Sequence, residues 1–178
     1  MNILGLKRGT VALHKHNKLW KELFKEEKDL LLETFPGKIL EVSHGGSTAV
    51  PGIPAKPIID MFAVVDDLLK TNDLRKKLEE LGYNYRGEEG APGRILYAKG
   101  PEELRTHHLN LVEKGNVQWN NHLLIREYYL AHPEIAADYA NLKTKLAKQF
   151  PDDRKAYGAG KNDFILDVIA KAKKELRN

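Results

Sequence analysis

A chain of 178 residues with a formal net charge of +4 and no cysteine has the size of one domain with a real core. It excludes disulfides, thiolate metal sites and a cysteine nucleophile. No run of about 18 apolar residues is present to span a bilayer. The segment 1–8 lacks the apolar core and cleavage site of a secretory leader, so the expectation is a cytoplasmic protein with no membrane partner.

The elements follow in chain order. Leu19, Trp20, Leu23, Phe24, Leu30 and Leu31 recur near a 3.6 period, which predicts an amphipathic helix over 14–34, ended by Pro36-Gly37. This places His14 and His16 at the start of a helix, on diverging positions, and not in a metal site. A short strand is expected over 39–43. The run 57–65 is apolar throughout except for Asp60, the pattern of a buried central strand. A second helix is predicted over 66–81, capped by Asp67 or Thr71 and stopped by Gly82. Short strands follow at 83–86, 94–99 and 107–112, separated by turns bearing Gly or Pro. The C-terminal third reads as three helices: 117–131, one opened by Pro133, and one over about 161–176. The order makes an α+β domain, a mixed sheet covered by helices, with an α/β core over about 35–115 and a helical part over about 116–178.

Charge is spread along the helices instead of forming a block. Lys25-Glu26-Glu27-Lys28 and Lys76-Lys77-Leu78-Glu79-Glu80 read as solvated faces with i,i+4 pairs. No interleaving of basic and aromatic residues marks a nucleic-acid platform, which argues against a nucleic-acid partner. The mild positive excess suits a phosphate-bearing ligand without requiring one.

The densest chemistry lies between His44 and Asp60, in His44-Gly45-Gly46-Ser47-Thr48-Ala49-Val50-Pro51-Gly52-Ile53-Pro54-Ala55-Lys56-Pro57-Ile58-Ile59-Asp60. Glycines let the backbone turn sharply and approach a ligand. Successive N–H groups, hydroxyls and a lysine can hold phosphate oxygens, and Asp60 can hold the metal that accompanies them. This is not a Walker loop: Gly-Gly-Ser-Thr has no Lys-Ser/Thr partner, and Lys56 precedes a proline and a strand. Strand alternation puts Ile58, Asp60 and Phe62 on one face, and His108, Asn110 and Val112 on one face of 107–112.

The same residues carry a resemblance. They resemble the signature of the GrpB family, small bacterial proteins assigned to the nucleotidyltransferase superfamily: His-Ile-Gly-Ser-Thr-x-Val-Pro-Gly-(apolar)-x-x-Lys-Pro-Ile-(apolar)-Asp. The chain supplies His44, Gly46, Ser47, Thr48, Val50, Pro51, Gly52, Lys56, Pro57, Ile58 and Asp60, and departs at Gly45. Downstream, Gly93-Arg94, His108, Trp119, His122, Arg126-Glu127-Tyr128, His132-Pro133-Glu134, Tyr139, Lys143, Tyr157 and Lys161 follow in order, so the resemblance covers nearly the whole chain as a single domain.

It implies a nucleotidyltransferase-like sheet and a pocket for a nucleotide or other phosphorylated small molecule with Mg²⁺, in which nucleotidyl transfer would be the reaction. Asp60, His108 and Lys161 would carry the chemistry. His44, Gly46, Ser47, Thr48, Lys56, Arg94 and Arg126 would hold phosphate or nucleotide, and Asp60 with Asn110 the metal. Asn110 stands where the family tends to have a second histidine. Nucleotidyltransferases show two carboxylates at i and i+2 on the strand, and Phe62 occupies the second position, short of what two metals need.

Structural readings stand beside these roles. His44 could brace the turn, Ser47 or Thr48 could cap a helix, His108 could be a core histidine, and Arg126 could bridge to Glu127 or Glu41. Lys161 opens a helix where a cation opposes the dipole, which points to a nearby anion. Phe62 favours a binding or sensing module without chemistry. A protein-interaction domain is a third reading, because GrpB-like domains also occur fused to dephospho-coenzyme A kinase.

Overall fold

The computed structural model describes residues 3–89 and 91–176. Five strands form one sheet: β1 (Glu41–Gly45), β2 (Ile59–Val65), β3 (Tyr83–Tyr85), β4 (Arg94–Lys99) and β5 (His107–Glu113). Their order is β1-β2-β5-β4-β3, with β2 and β5 parallel and every other pair antiparallel. The mixed sheet expected from the element order is present.

Register sorts the side chains onto two faces. The rows Val42–Ala63–Leu111–Ile95 and His44–Met61–Leu109–Tyr97 lie on one face. The rows Ser43–Phe62–Asn110–Leu96 and Gly45–Asp60–His108–Ala98 lie on the other. The first face is covered by α1 (Leu19–Thr34) and α2 (Asn72–Glu80), whose Trp20, Leu31, Leu74 and Leu78 join Ile59, Met61, Ala63, Leu109 and Leu111 in the main core.

Two helix starts differ from the periodicity. The helix expected over 14–34 begins only at Leu19, where the Asn17 side chain accepts from the Leu19 N–H at 3.0 Å. His14 is instead extended, exchanging backbone hydrogen bonds with Ala55 at 2.8 and 3.0 Å. Pairing with the loop before β2 overrides the helical pattern there. The helix expected over 66–81 is split. Asp67 caps a 3₁₀ turn at Leu68–Lys70 by accepting from the Leu69 N–H, and α2 starts after it.

The second face carries the C-terminal helices α3 (Val117–Ala131), α4 (Pro133–Gln149), α5 (Arg154–Ala159) and α6 (Asn162–Glu175). Asn116 caps α3, accepting from Gln118 and Trp119 at 2.9 and 3.0 Å. Trp119 then packs on Phe62, Val64 and Val112, and its Nε1 donates to the Ser43 hydroxyl at 2.9 Å. α3, α4 and α6 close their own apolar cluster around Tyr129, Tyr139 and Val168, which also receives Val50 and Ile53 from the loop after β1. The sequence reading expects three helices here, and α5 makes a fourth. It is one short turn held by the Asp153 cap and by buried Tyr157, too short to leave a period. No helix among the described residues is long and apolar enough to cross a membrane.

Candidate functional site

The site is built where the β1 turn runs over the ends of β2 and β5. Gly46 has φ +65, and a Cβ there would sit 2.5 Å from Asp60 Oδ2. A Cβ on Gly45 would meet the Phe62 ring at 2.8 Å. The departure at Gly45 and the aromatic at 62 are thus one steric unit. Glycine is required by what lies under each position, and at Gly46 also by backbone conformation.

Behind the turn, the His44 ring lies on the α1 face, stacked on Phe24 at 4.5 Å, with Nε2 2.9 Å from the Thr48 hydroxyl. Burial pushes the imidazole down to about 4, so it is neutral at pH 7. The geometry gives His44 the bracing position rather than a place beside Asp60, and it engages the Thr48 hydroxyl in the same brace. Arg126 donates from Nη1 to the His44 carbonyl at 3.0 Å and, through Nε and Nη2, to Glu127 Oε1. It ties α3 to the turn. Of the two bridges expected for it, the one to Glu127 forms.

Asp60 and His108 face each other across the parallel pair. His108 Nδ1 lies 3.0 Å from Asp60 Oδ1. Burial alone would raise the Asp60 carboxyl, but the His108 hydrogen bond, with the charges of His108 and Lys56, outweighs it and holds the group at about 2. Asp60 is therefore ionised across the physiological range, with Oδ2 turned toward Gly46.

Around this carboxylate lies a cavity of about 250 Å³ lined by Ser47, Lys56, His108, Lys143, Tyr157 and Lys161, with Arg154 at its exposed rim. Asp60 is the only acidic residue among the described residues lining it. Lys143 is 3% exposed, and its Nζ donates to the Pro54 carbonyl at 2.5 Å. Burial, then the charges of Lys161 and Lys56, push Lys143 down to about 7. Burial, then Lys56, push Lys161 down to about 8. Lys56 is lowered by burial and by Arg154. Lys56 and Lys161 lie 6.0 and 4.3 Å from the centroid of the Tyr157 ring. Arg154 also faces Glu89 in an adjoining cavity, so the positive balance around Asp60 is that of Lys56, Lys143 and Lys161.

A second cavity, of about 320 Å³, adjoins the first through Asp60, His108, His122 and Arg154 and continues to Phe62, Arg94 and Asn110. Asn110, expected as a metal ligand, lies between two other partners. Its Nδ2 donates to the Met61 carbonyl at 3.0 Å, and its Oδ1 accepts from Arg94 Nη1, which sets a guanidinium charge at the oxygen a cation would use. Phe62 fills the remaining position and packs against His122, centroids 4.5 Å apart. Among the described residues no group of three or more His, Asp or Glu side chains is placed to hold a metal. A resident pair of divalent ions does not fit these donors. A single ion brought in with phosphates finds one carboxylate among the described residues lining the amine-lined cavity, that of Asp60.

The structure thus brings Gly46, Ser47, Thr48, Lys56, Asp60, His108 and Lys161 together around one cavity. It sets Arg94 and Asn110 in the adjoining one and His44 behind the turn. Lys143, Arg154 and Tyr157 belong to the site without having been assigned to it from sequence. One signal was available for Lys143: it stands four residues after Tyr139, on the apolar side of a helix where lysine is costly unless something uses it.

The family described as "GrpB protein" matches residues 10–171 of the chain. The UPF0157 protein YqkA of Bacillus subtilis (strain 168) is 40% identical over 159 residues, 89% of this chain and 46% of that protein. The chain therefore spans about half the length of that relative. The crystal structure of conserved protein GrpB from Enterococcus faecalis superposes with a TM-score of 0.86 at 36% identity, over 94% of this chain and 100% of that one. A Cid1 poly(U) polymerase structure bound to MgATP gives a TM-score of 0.55 at 15% identity, over 83% of this chain and 50% of that one. At that identity the likeness is one of fold, and the fold is nucleotidyltransferase-like.

Proposed function

The chain belongs to the GrpB family, and on that premise we propose that its cleft binds a phosphorylated small molecule, with Lys56, Lys143 and Lys161 around the phosphate and Arg154 at the mouth. One observation carries this reading: the positive charge around Asp60 is unbalanced inside a cavity. Two unit charges 4 Å apart interact by about 4 kcal/mol at an effective dielectric constant near 20, so a phosphate placed among these amines relieves their mutual repulsion. The Ser47 hydroxyl lines the same cavity and adds a polar contact at the turn. His108 fixes the Asp60 carboxylate and keeps Oδ2 toward the cleft.

Mg²⁺ enters this reading only as an ion carried by a polyphosphate, with Asp60 as its protein ligand. Magnesium is commonly bound by one or two carboxylates together with substrate phosphates, and there it would screen phosphate charge. Nucleotidyl transfer is not part of the proposal. Phe62 and the Arg94–Asn110 pair take the places from which a second carboxylate or carbonyl would serve, and they favour binding or sensing.

The test is thermal unfolding with inorganic tripolyphosphate and with nucleoside triphosphates, each with and without Mg²⁺. A ligand at 100 times its Kd adds about 2.7 kcal/mol of stability. The expected result is a rise in Tm for the wild type that Lys161→Ala and Lys56→Ala abolish. If no phosphorylated compound at millimolar concentration moves the wild-type Tm, the proposal is wrong.

A further inference from the structure

The amine-lined cavity does not end at Ser47. Gly46, Ser47, His122, Tyr139 and Ile165 line it on one side and, on the other, a third cavity of about 270 Å³ between α3 and α6. The two chambers differ in character. The first is walled by amines and a carboxylate. The third is walled by Ile125, Ile165 and Ile169 with the rings of Tyr129 and Tyr139, and carries the amides of Gln118 and Asn121 together with Arg126, whose guanidinium is engaged by Glu127 and the His44 carbonyl. Those two rings are stacked, with centroids 5.2 Å apart.

Tyr129 supplies a second, independent observation. The residue is 4% exposed, and its hydroxyl has no hydrogen-bond partner. A buried hydroxyl without a partner costs stability, and nearly all such groups in folded proteins are satisfied. This one stands in the wall of a cavity that opens beside a phosphate site.

We infer that the third cavity receives the base of a nucleotide whose phosphates occupy the amine-lined cavity; the inference rests on the phosphate-binding reading above. The chemistry selects a flat heteroaromatic ring over other groups. Isoleucine and tyrosine walls stack on a flat ring that is apolar on both faces, whereas a sugar has a smaller C–H patch ringed by hydroxyls that these walls would leave unpaired. The Asn121 amide, the Gln118 side-chain oxygen (its Nε2 donates to the Pro92 carbonyl at 3.2 Å) and a free hydroxyl present donors and acceptors to a polar edge, which an acyl chain would leave unpaired. Pockets of this kind, mostly apolar with a few convergent polar groups, fix both the orientation and the identity of a small ligand. His122 stands at the junction of all three chambers, beside the path from base to phosphate.

Calorimetric titration separates this inference from the reading beneath it. The probes are inorganic tripolyphosphate, which has no ring to place in the third cavity, and ATP, GTP, CTP and UTP. The proteins are the wild type, Ile169→Trp, which fills the third cavity, and Tyr129→Phe, which removes only the hydroxyl. At least one nucleotide is expected to bind wild type 10-fold or more tightly than tripolyphosphate. Ile169→Trp should erase that advantage and leave the tripolyphosphate Kd unchanged. Tyr129→Phe should weaken the preferred nucleotide 3-fold or more, again without effect on tripolyphosphate, while raising the Tm of the free protein. If tripolyphosphate binds and no nucleotide binds more tightly, or the advantage survives in both variants, the base site is refuted and the phosphate site stands. If the wild type binds none of the probes, the phosphate reading fails and takes this inference with it.

Discussion

The two faces of the sheet handle buried charge in opposite ways. Under α1 and α2, Glu27 accepts from Lys99 at 2.7 and 2.8 Å and from the Tyr83 hydroxyl at 2.8 Å. One anion meets one cation and one neutral donor, and the account closes. On the other face Asp60 already accepts from His108, while Lys56, Lys143 and Lys161 line the same cavity with no second carboxylate among the described residues lining it. Both clusters are long-range and partly withdrawn from water, yet only the first is complete within the chain. The incomplete one marks where something from outside belongs.

The largest effect should come from breaking the closed cluster. Glu27→Ala strands the Lys99 ammonium and the Tyr83 hydroxyl, the latter on a residue 1% exposed. Removing one member of a buried pair costs about 3–5 kcal/mol. Lys99 retains some contact with water, with 23% of its side chain exposed, so the low end of that range is expected. Urea unfolding measures it, and the midpoint should fall steeply. A loss below about 1 kcal/mol would mean that this face is no better balanced than the other.

The matching change on the open face should act on binding and not on folding. Lys161→Ala removes a cation that its neighbours repel. The free protein should unfold at the same urea concentration or a slightly higher one. Affinity for tripolyphosphate should fall by about 2–3 kcal/mol, within the range for truncating one partner of a desolvated charge pair. Calorimetry on both variants gives the contrast directly: Glu27→Ala loses stability and keeps affinity, and Lys161→Ala does the reverse. If Lys161→Ala destabilises the fold as much as Glu27→Ala does, the amine cluster is structural.

Strand faces were the legible part of the sequence, whereas the closed cluster was not: Glu27, which reads with Lys25, Glu26 and Lys28 as a solvated helix face, is 7% exposed. Alternation in β2 and β5 placed Asp60 with Phe62 and His108 with Asn110, because side-chain period in a strand is a local property. The glycine turn was legible for the same reason. What failed depended on neighbours from distant segments. Asn110 could not be known to be engaged, since Arg94 reaches it across the β4–β5 pair. Lys143, quoted only as part of the resemblance, and Arg154 take no role from sequence, because nothing local says that α4 and α5 turn these side chains toward Asp60. His14 was misplaced in a helix because its partner, Ala55, lies 41 residues away (55 − 14). Helix starts and convergent charges are decided by tertiary contacts, which single-sequence periodicity does not carry.

Acidity offers a finer contrast between the faces. Lys143 and Lys161 are pushed down to about 7 and about 8 from 10.5. Between those values and 10.5 the unfolded chain holds protons that the folded chain has released. The stability contributed by these two groups therefore rises as pH increases from about 7 toward 10. Ligand affinity moves the other way, since a phosphate needs the charged amines, and weakens by up to about 1.4 kcal/mol per pH unit for each amine that must be protonated. Titrating tripolyphosphate at pH 8 in buffers of different ionisation enthalpy should show proton uptake on binding. Proton release, or affinity that is flat from pH 7 to 9, would remove these lysines from the site. On the α1 face, burial holds His44 and His107 at about 4. Their contribution is present above about 6.5 and is lost as pH falls toward 4, with no link to ligand.

The smallest effect tests the boundary between the faces, at Thr48. Its hydroxyl is 2.9 Å from His44 Nε2, yet the residue also lines the amine-lined cavity, so it can be a brace or a phosphate contact. Thr48→Val keeps the shape and removes the hydroxyl. As a brace, Thr48 leaves one buried imidazole nitrogen unpaired when lost, which costs about 1 kcal/mol or slightly more, and tripolyphosphate affinity stays within about twofold. As a phosphate contact it would cost affinity with little change in stability. The first outcome is expected, because His44 is buried and neutral and its nitrogen has this hydroxyl as its partner. The turn would then divide its labour within a few residues: Thr48 faces back to hold β1 against α1, and Ser47 faces forward to the ligand.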